Sequence, residues 1–130
     1  MTLPIRSLHH VVFCAQWEAC AAFYGGTLGL PETDRRDGFV EFAVAPGACI
    51  GLIDVADRPG YGDPSRTPGL LALQTDDIHT LHRRLSSRLA ALPRIRRHPW
   101  GALVFEISDP EGRRIEFWQT APRLRPRKGH

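Results

Sequence analysis

Residues 107–118 read ISDPEGRRIEFW, and this stretch decides how the chain folds. Its centre, residues 109–112, has the composition of a tight turn, because proline fixes φ and glycine accepts a positive φ without steric cost. The flanking segments, residues 102–107 and 113–119, contain the β-branched and aromatic side chains that are typical of strands. The stretch therefore predicts a hairpin of two neighbouring strands.

The strand after this turn carries the first candidate functional residue. Side chains alternate along a strand, so Ile115 and Phe117 face one side of it. Glu116 and Trp118 then face the other side. A glutamate in that setting either meets solvent at a sheet edge or points into a cavity where it has a chemical role.

The composition is that of an ordinary globular protein of one domain. The 130 residues are 42% hydrophobic and 24% charged, and a chain of this length buries a substantial core. No apolar run is long enough to cross a bilayer, and the N-terminus has no secretory segment. The three cysteines have no CxxC spacing, which indicates a reducing compartment rather than a disulfide framework or a thiolate zinc site. We therefore expect a cytoplasmic protein without a membrane partner.

The formal net charge of +3 comes from the end of the chain. Residues 123–130 hold four of the 17 Lys and Arg and no acid, so residues 1–122 carry 13 basic and 14 acidic side chains. A basic, proline-containing terminus of this kind is typically a solvated, flexible tail. Residues 1–122 show no basic stripe, so we expect no nucleic-acid partner.

The predicted elements occur twice in the same order of strand, helix and three strands. The first set covers residues 8–14, 17–27, 31–37 (a poor edge strand), 38–44 and 48–55. After a linker at 56–68, the second set covers residues 69–75, 76–91, 94–97, 102–107 and 113–119. We therefore predict a single α+β domain over residues 1–122. Its two βαβββ modules, at about 7–55 and 69–121, form a concave mixed sheet around a cleft.

Three motifs in this order resemble those of the vicinal oxygen chelate superfamily, which includes glyoxalase I, extradiol dioxygenases, and fosfomycin-resistance and bleomycin-binding proteins. Phe23-Tyr24 followed by residues 27–30 (TLGL) is similar to the family's FY…LGL helix end. Residues 108–116 (SDPEGRRIE) resemble its closing DPDGNxIEL pattern, and residues 8–11 (LHHV) resemble its opening xxHV. The resemblance covers residues 7–121 and implies the glyoxalase/bleomycin resistance/dihydroxybiphenyl dioxygenase fold.

The resemblance also implies a metal site in which two of the four family ligands are replaced. His10 takes the first-strand ligand position, and Glu116 takes the last-strand position and the expected catalytic role. Gly51 stands where lyase-type members carry a glutamate, and Leu70 stands where a histidine is expected. Because a catalytic metal normally has three protein ligands, His10 and Glu116 alone would hold it weakly.

Other residues could complete this site or change its register. The candidate replacement ligands are Cys49, Gln74 and His98. Each is at least one side-chain step, about 6.6 Å along a strand, from the family position. A register shift of one residue would bring His9 into the cleft instead of His10. Without a metal, Glu116 is expected to have a raised pKa and to pair with His10, as an acid/base couple or as an inert polar contact.

The ligand that the resemblance implies is a small aromatic or oxygen-rich molecule. The candidate substrate-binding residues are Trp118, Trp100, Phe39 and His98. Trp118 shares a strand face with Glu116, and aromatic side chains suit a flat apolar ligand. The implied activity is that of a lyase or dioxygenase-type enzyme using a divalent metal such as zinc, nickel, manganese or iron. The alternative is a non-catalytic protein that sequesters an antibiotic-like molecule. In either case the resemblance implies a homodimer.

Overall fold

A computed structural model describes residues 3–57, 62–64, 70–99 and 101–120. Trp100, the tail at 123–130 and most of the linker at 56–68 lie outside the described residues. The chain divides into two compact units, Met1–Gly69 with Ser108–Arg113 and Leu70–Ile107 with Arg114–His130. In the described part of the chain, none of the helices has the length and apolar character needed to cross a membrane.

The first unit repeats the predicted order of strand, helix and three strands. Its elements are β1 (Leu8–Cys14), α1 (Trp17–Ala22), β2 (Glu32–Arg36), β3 (Phe39–Ala45) and β4 (Ala48–Asp54). The sheet order is β1-β4-β3-β2, in which β1 runs parallel to β4 and the other neighbours are antiparallel. The prediction that the weak strand near residues 31–37 lies at a sheet edge is confirmed.

The end of the first helix explains the FY…LGL motif. After α1 the chain makes a π-helical turn, in which the buried rings of Phe23 and Tyr24 pack edge to face with centroids 5.3 Å apart. The N–H of Leu28 donates to the Phe23 carbonyl at 2.9 Å, and that of Leu30 donates to the Tyr24 carbonyl at 3.0 Å. Gly29 has a φ of 70°, the left-handed conformation that glycine adopts without strain at a helix end.

The turn at residues 109–112 is part of the first unit and contains one member of a buried ion pair. Arg113 Nη1 donates to Asp109 Oδ2 at 2.9 Å, and the two side chains are 6% and 0% exposed. The Tyr24 hydroxyl donates to the same carboxylate oxygen at 2.8 Å. Arg113 Nη2 also donates to the Phe13 carbonyl. These bonds tie the turn to both β1 and the helix end.

The second unit carries the other sheet. Its elements are β5 (Leu71–Gln74), α2 (Ile78–Ser86), β6 (Arg96–Arg97), β7 (Ala102–Ser108) and β8 (Arg114–Thr120). The sheet order is β5-β8-β7-β6, with β5 parallel to β8 and β6 antiparallel to β7. Because β7 and β8 are neighbours on either side of the 109–112 turn, the predicted hairpin is confirmed. The two mixed four-stranded sheets confirm the predicted fold class.

The helix predicted over residues 76–91 is shorter in the structure. It ends at Ser86, where the Ser86 and Ser87 hydroxyls donate to the carbonyls of Arg83 and Arg84 at 2.7 and 2.8 Å. These bonds satisfy carbonyl groups that a further helical turn would have used. The prediction was wrong at this end because the apolar spacing continues past the point where serine side chains compete for the backbone.

We expect the Arg113→Met substitution to lower the free energy of unfolding by about 3–5 kcal/mol, because it leaves the Asp109 carboxylate buried without its cation. Urea denaturation at neutral pH measures this loss. The matched control is Arg114→Met, which removes an exposed arginine paired with Glu106 and is expected to cost less than about 1 kcal/mol.

A double variant separates the ion pair from a general packing effect. Replacing both partners, as Asp109→Asn with Arg113→Met, removes the unpaired charge and should recover part of the loss. Equal small losses for Arg113→Met and Arg114→Met would contradict the structural role of the pair.

Candidate functional site

The two faces of the first sheet hold different side chains. Cys14 of β1 and Cys20 of α1 are both 0% exposed, and their sulfur atoms lie within 4.8 Å of each other. Side chains alternate along β1, so His10 shares the helix-covered side with Cys14, and His9 lies on the opposite side. We call that opposite side the His9 face; the residues of it that concern the site are His9, Val11, Phe39, Glu41, Cys49 and Gly51.

Three potential ligands meet on the His9 face. His9 Nδ1 lies 2.9 Å from Glu41 Oε2, and ligand atoms of His9, Glu41 and Cys49 all lie within 4.8 Å of one another. The strand register brings the three residues together. His9 of β1 is the partner of Cys49 on β4, and Glu41 of β3 is the partner of Gly51, which is two residues after Cys49 on the same face of β4. The side chain of His9 is 47% exposed and that of Glu41 is 18% exposed. A small molecule or an ion therefore has access to the cluster.

Hydrogen bonds from neighbouring hydroxyl groups orient the cluster. His9 Nε2 lies 2.9 Å from the Ser7 hydroxyl oxygen, which directs Nδ1 towards Glu41. The Thr33 hydroxyl donates to Glu41 Oε1 at 2.9 Å and leaves Oε2 for His9. Loss of solvent around the Cys49 thiol, together with the nearby Glu41 carboxylate, raises the pKa of Cys49. The thiol is therefore protonated at neutral pH in the absence of a cation.

The ring of Phe39 lies beside Gly51, where the resemblance implies a glutamate. A Cβ atom built on Gly51 would lie 3.0 Å from the Phe39 ring and 3.9 Å from a methyl group of Val11. The ring of Phe39 therefore occupies the space beside β4 that a side chain at Gly51 would need. Glu41 is the register partner of Gly51, so a carboxylate on the neighbouring strand lies next to this position.

His10 lies in a different environment from His9. It is half-buried, and burial together with the positive charge of Arg113 lowers the pKa of His10. Among the described residues, neither His10 nor Glu116 belongs to a group of three potential metal ligands that lie within 4.8 Å of one another. The metal roles that the resemblance implies for these two residues stay predictions.

Glu116 and Trp118 occupy the same side of β8. Both are half-buried, whereas Ile115 and Phe117 are buried on the alternate side, where the ring of Phe117 packs 5.1 Å from that of Phe105. The alternation predicted for this strand is thus confirmed. The catalytic role of Glu116 and the ligand-binding role of Trp118 stay predictions.

The remaining predicted site residues lie in or near the second sheet. His98 is half-buried in the connection between β6 and β7, and its N–H donates to the Ala102 carbonyl at 2.7 Å. Leu70, which stands where the resemblance implies a histidine ligand, is 41% exposed. Trp100 cannot be placed, because it lies outside the described residues. The substrate-binding roles of His98 and Trp100 stay predictions, as does that of Phe39 in the first unit.

A second group of potential ligands has a structural role. Cys14, Cys20 and Glu111 also have ligand atoms within 4.8 Å of one another. The Glu111 carboxylate already accepts the backbone N–H groups of residues 15–16 at 3.0 and 2.9 Å and the Cys20 thiol at 3.1 Å. Arg113 Nη1 lies 3.8 Å from the Cys20 sulfur, and its positive charge opposes a second cation. Glu111 therefore holds the backbone that leads from β1 into α1.

Glu41 is the one member of the His9 face cluster that our sequence analysis did not select. Its signal was nevertheless present, because residues 39–42 (FVEF) place a carboxylate between large apolar side chains in a predicted strand. Glu116 was selected on that same pattern. What the sequence did not reveal is the pairing of β3, β4 and β1, which brings Glu41 next to His9.

Comparisons with known proteins agree with this fold. The sequence pattern of the Glyoxalase/Bleomycin resistance protein/Dioxygenase superfamily matches residues 6–117. The chain is also similar to a crystal structure of a glyoxalase/bleomycin resistance protein/dioxygenase from Nocardioides, with a TM-score of 0.74, 22% identity, and coverage of 98% of this chain and 91% of that chain. A search of curated proteins finds no match.

Two further solved structures have the same architecture. A lactoylglutathione lyase from Agrobacterium tumefaciens aligns with a TM-score of 0.71 and 20% identity, covering 90% of this chain and 95% of that chain. A glyoxalase-related enzyme from Fulvimarina pelagi aligns with a TM-score of 0.67 and 23% identity, covering 85% of each chain. At these identities the likeness establishes the fold. Together with the family pattern, it shows that this chain belongs to the Glyoxalase/Bleomycin resistance protein/Dioxygenase superfamily, as the motifs predicted.

The Glu111 carboxylate predicts a dependence of stability on pH. Burial raises the pKa of Glu111, but hydrogen bonds from Gln16, Ala15 and Cys20 and the charge of Arg113 outweigh that effect, so its pKa lies below the ordinary 4.5. A depressed pKa in the folded state means that the Glu111 carboxylate stabilises the protein fully above about pH 4.5. This stabilisation is lost as the pH falls through the folded value.

We expect Glu111→Gln to lower the free energy of unfolding by about 1–2 kcal/mol at pH 7 and to flatten its decline below pH 4.5. Urea titrations at several pH values between 3 and 7 measure both effects. The control is Glu18→Gln, at an exposed position of the same helix, with an expected change below about 0.5 kcal/mol. An acid decline as steep in Glu111→Gln as in the unmodified chain would refute the assignment.

Proposed function

We propose that this protein binds a small aromatic or oxygen-rich molecule on the His9 face and acts on it as an enzyme of the glyoxalase/dioxygenase type. The observation that carries the proposal is the His9–Glu41–Cys49 cluster beside the apolar groups of Val11 and Phe39. Polar groups that converge next to an aromatic wall are the usual composition of a small-molecule site.

The aromatic and the polar side chains of the His9 face suit different groups of such a ligand. The Phe39 ring offers a flat apolar surface, and the Glu41 carboxylate offers a proton acceptor already hydrogen-bonded to an imidazole at 2.9 Å. A carboxylate in this position can accept a hydrogen bond from a hydroxyl group of the ligand or remove its proton. General acid–base groups of this kind typically contribute about 10²–10⁴-fold to a rate.

The proposal includes a divalent cation, as the family membership suggests. Zinc, nickel, manganese and iron are the candidates, and a bound cation would polarise the oxygen atoms of the substrate. The His9 face supplies nitrogen, oxygen and sulfur donors, so its residues fit such an ion. The roles that the resemblance implies for His10 (metal), Glu116 (metal and catalysis), and Trp118, Trp100 and His98 (substrate binding) stay separate proposals, on which the His9 face does not depend.

The second candidate function is sequestration of a small molecule without catalysis. It is favoured by Gly51 and Leu70, which stand at two positions where the resemblance implies metal ligands. A solved structure from Catenulispora acidiphila with a TM-score of 0.68 and 18% identity is described as a glyoxalase/bleomycin resistance protein, so both descriptions occur among proteins of this fold.

Titration with catechol, a flat aromatic molecule with two vicinal hydroxyl groups, tests the proposal. We expect saturable binding by isothermal titration calorimetry, with and without added Zn²⁺. Glu41→Gln should weaken it by about tenfold or more, since a charged hydrogen-bond acceptor is lost. Glu106→Gln, which alters an exposed ion pair of the second unit, is the control and should bind normally.

The products of the same mixtures separate the two functions. Chemical change of the probe, seen by chromatography, supports an enzyme, and unchanged recovery of bound probe supports sequestration. Equal binding by the unmodified chain and Glu41→Gln would refute a ligand site on the His9 face.

We also propose that two chains form a homodimer. β1 is an end strand of its sheet, and its Leu8 and Val11 side chains are 65% and 40% exposed. Exposed apolar side chains on an end strand are typical of a surface that pairs with another chain. Sedimentation velocity at micromolar concentration should give the mass of a dimer, and Leu8→Lys should shift it towards the monomer. A monomeric mass for the unmodified chain would overturn this proposal.

A further inference from the structure

We propose that the outer side of α2 and the neighbouring edge strand β6 form a basic surface that binds the phosphate backbone of duplex nucleic acid without reading its sequence. We call it the α2–β6 surface; its residues are Arg83, Arg84, Arg88, Arg94 and Arg97. The inference goes beyond the proposed function, because these residues lie in the second unit and the His9 face lies in the first.

The positive charge of the chain is concentrated in the second unit. The first unit has six basic and ten acidic side chains, whereas the second has eleven basic and four acidic ones. The expectation of no nucleic-acid partner rested on the near balance of charge over residues 1–122, and that balance is the sum of two units of opposite charge. A charge asymmetry between parts of a chain is typical of proteins that bind polyanions.

The basic side chains of this unit are exposed and have few acidic neighbours. Residues 78–105 contain six arginines, all exposed, and no aspartate or glutamate. In the first unit, by contrast, the exposed Arg35 lies 2.8 Å from the Glu32 carboxylate. In the described part of the chain, no such ion pair occurs at four arginines of the α2–β6 surface: Arg83, Arg84, Arg94 and Arg97. Their charges are therefore available to an anionic partner.

A histidine of α2 joins the helix to the segment that carries the other arginines. His82 Nε2 donates to the Pro93 carbonyl at 2.7 Å, which holds the backbone next to Arg94 against the helix. The ring of His82 also packs edge to face against Phe105 of β7, with centroids 4.9 Å apart. The arginines of α2 and those that follow Pro93 thus belong to one continuous surface.

The strand register decides which arginine of β6 belongs to this surface. Arg97 is the register partner of Leu103, which shares a side of β7 with Phe105. Because Phe105 contacts α2, Arg97 lies on the helix-covered side of the sheet. The adjacent Arg96 then lies on the opposite side and is not part of the surface.

The side chains of α2 favour phosphate groups of nucleic acid over a membrane. The planar guanidinium group of arginine donates two parallel hydrogen bonds to a phosphate. A helix that binds a membrane surface inserts apolar side chains, but Ile78 and Leu85 of α2 are buried within the second unit. The exposed positions of the helix are polar or charged: His79, Arg83, Arg84 and Ser86.

The same surface favours a duplex over a single strand. Proteins that bind single strands stack the bases on exposed aromatic side chains. Among the described residues of 78–105, the one Phe, Phe105, is buried, and there is no exposed Phe, Tyr or Trp. Arginine contacts to the backbone carry no sequence information, so we expect binding that is independent of sequence.

Fluorescence anisotropy of a labelled DNA duplex of mixed sequence, about 20 base pairs long, tests the inference on the full chain. We expect saturable binding at about 50 mM salt, and the logarithm of the affinity should fall with the logarithm of the salt concentration by about 0.9 for each phosphate contacted. The triple variant Arg83→Gln, Arg94→Gln and Arg97→Gln should bind about tenfold or more weakly, with a slope reduced by roughly 3. Its urea midpoint should stay close to that of the unmodified chain, because the three side chains are exposed.

A second triple variant, Arg6→Gln, Arg35→Gln and Arg36→Gln, is the matched control. It removes the same charge from exposed positions of the first unit and should bind nearly as tightly as the unmodified chain. Equal weakening by both triple variants would show an effect of net charge alone. Full binding by the first variant would assign the contact to other residues, such as the basic residues 123–130. Either result would overturn the α2–β6 surface, as would no binding to the duplex at low salt.

Vesicles that contain phosphatidylserine provide the test against a membrane partner. We expect little cosedimentation of the chain with them at the salt concentration where the duplex binds. Cosedimentation that the first triple variant abolishes, together with no binding to the duplex, would overturn the proposal in favour of a lipid surface.

Discussion

The buried ion pair between Asp109 and Arg113 is the interaction on which the first unit depends. Each of its members also holds backbone: Asp109 Oδ1 accepts the N–H groups of Glu111 and Arg113 at 2.8 and 3.0 Å, and Arg113 reaches the Phe13 carbonyl. With the Tyr24 hydroxyl on the other carboxylate oxygen, the pair connects the turn, β1 and the helix end. A charge pair out of contact with water is tolerated only because every one of these partners is present.

This anchoring has a consequence for the candidate site. The bond from Arg113 to the Phe13 carbonyl helps to hold β1 with one side towards α1. Because side chains alternate along a strand, the adjacent residues His9 and His10 then lie on opposite faces. His10 is left beside the positive charge of Arg113, whereas His9 meets the carboxylate of Glu41. Two residues of identical chemistry thus differ in charge environment because of the turn nearly a hundred positions later in the chain.

The fold was predictable from sequence because alternation, turn residues and the FY…LGL and DPEG motifs are local signals that agreed with one another. The site was only partly predictable. Glu116 and Trp118 share a strand face as expected. The grouping of His9 with Glu41 and Cys49 depends on the parallel pairing of β1 with β4, which joins residues 40 positions apart (His9 and Cys49), and no local pattern specifies that register. The sequence predicted a missing glutamate at Gly51, whereas the position of the Phe39 ring beside Gly51 became clear only with the β3–β4 pairing.

The composition of the first unit from Met1–Gly69 and Ser108–Arg113 has a consequence for synthesis. The ribosome delivers β1, α1 and the next three strands long before it delivers Asp109 and Arg113. Until then Tyr24 lacks its acceptor and the start of α1 lacks the Glu111 carboxylate. The first unit is therefore complete only after its last segment has been synthesised. A fragment that stops at residue 69 would expose a core that needs residues from the last fifth of the protein.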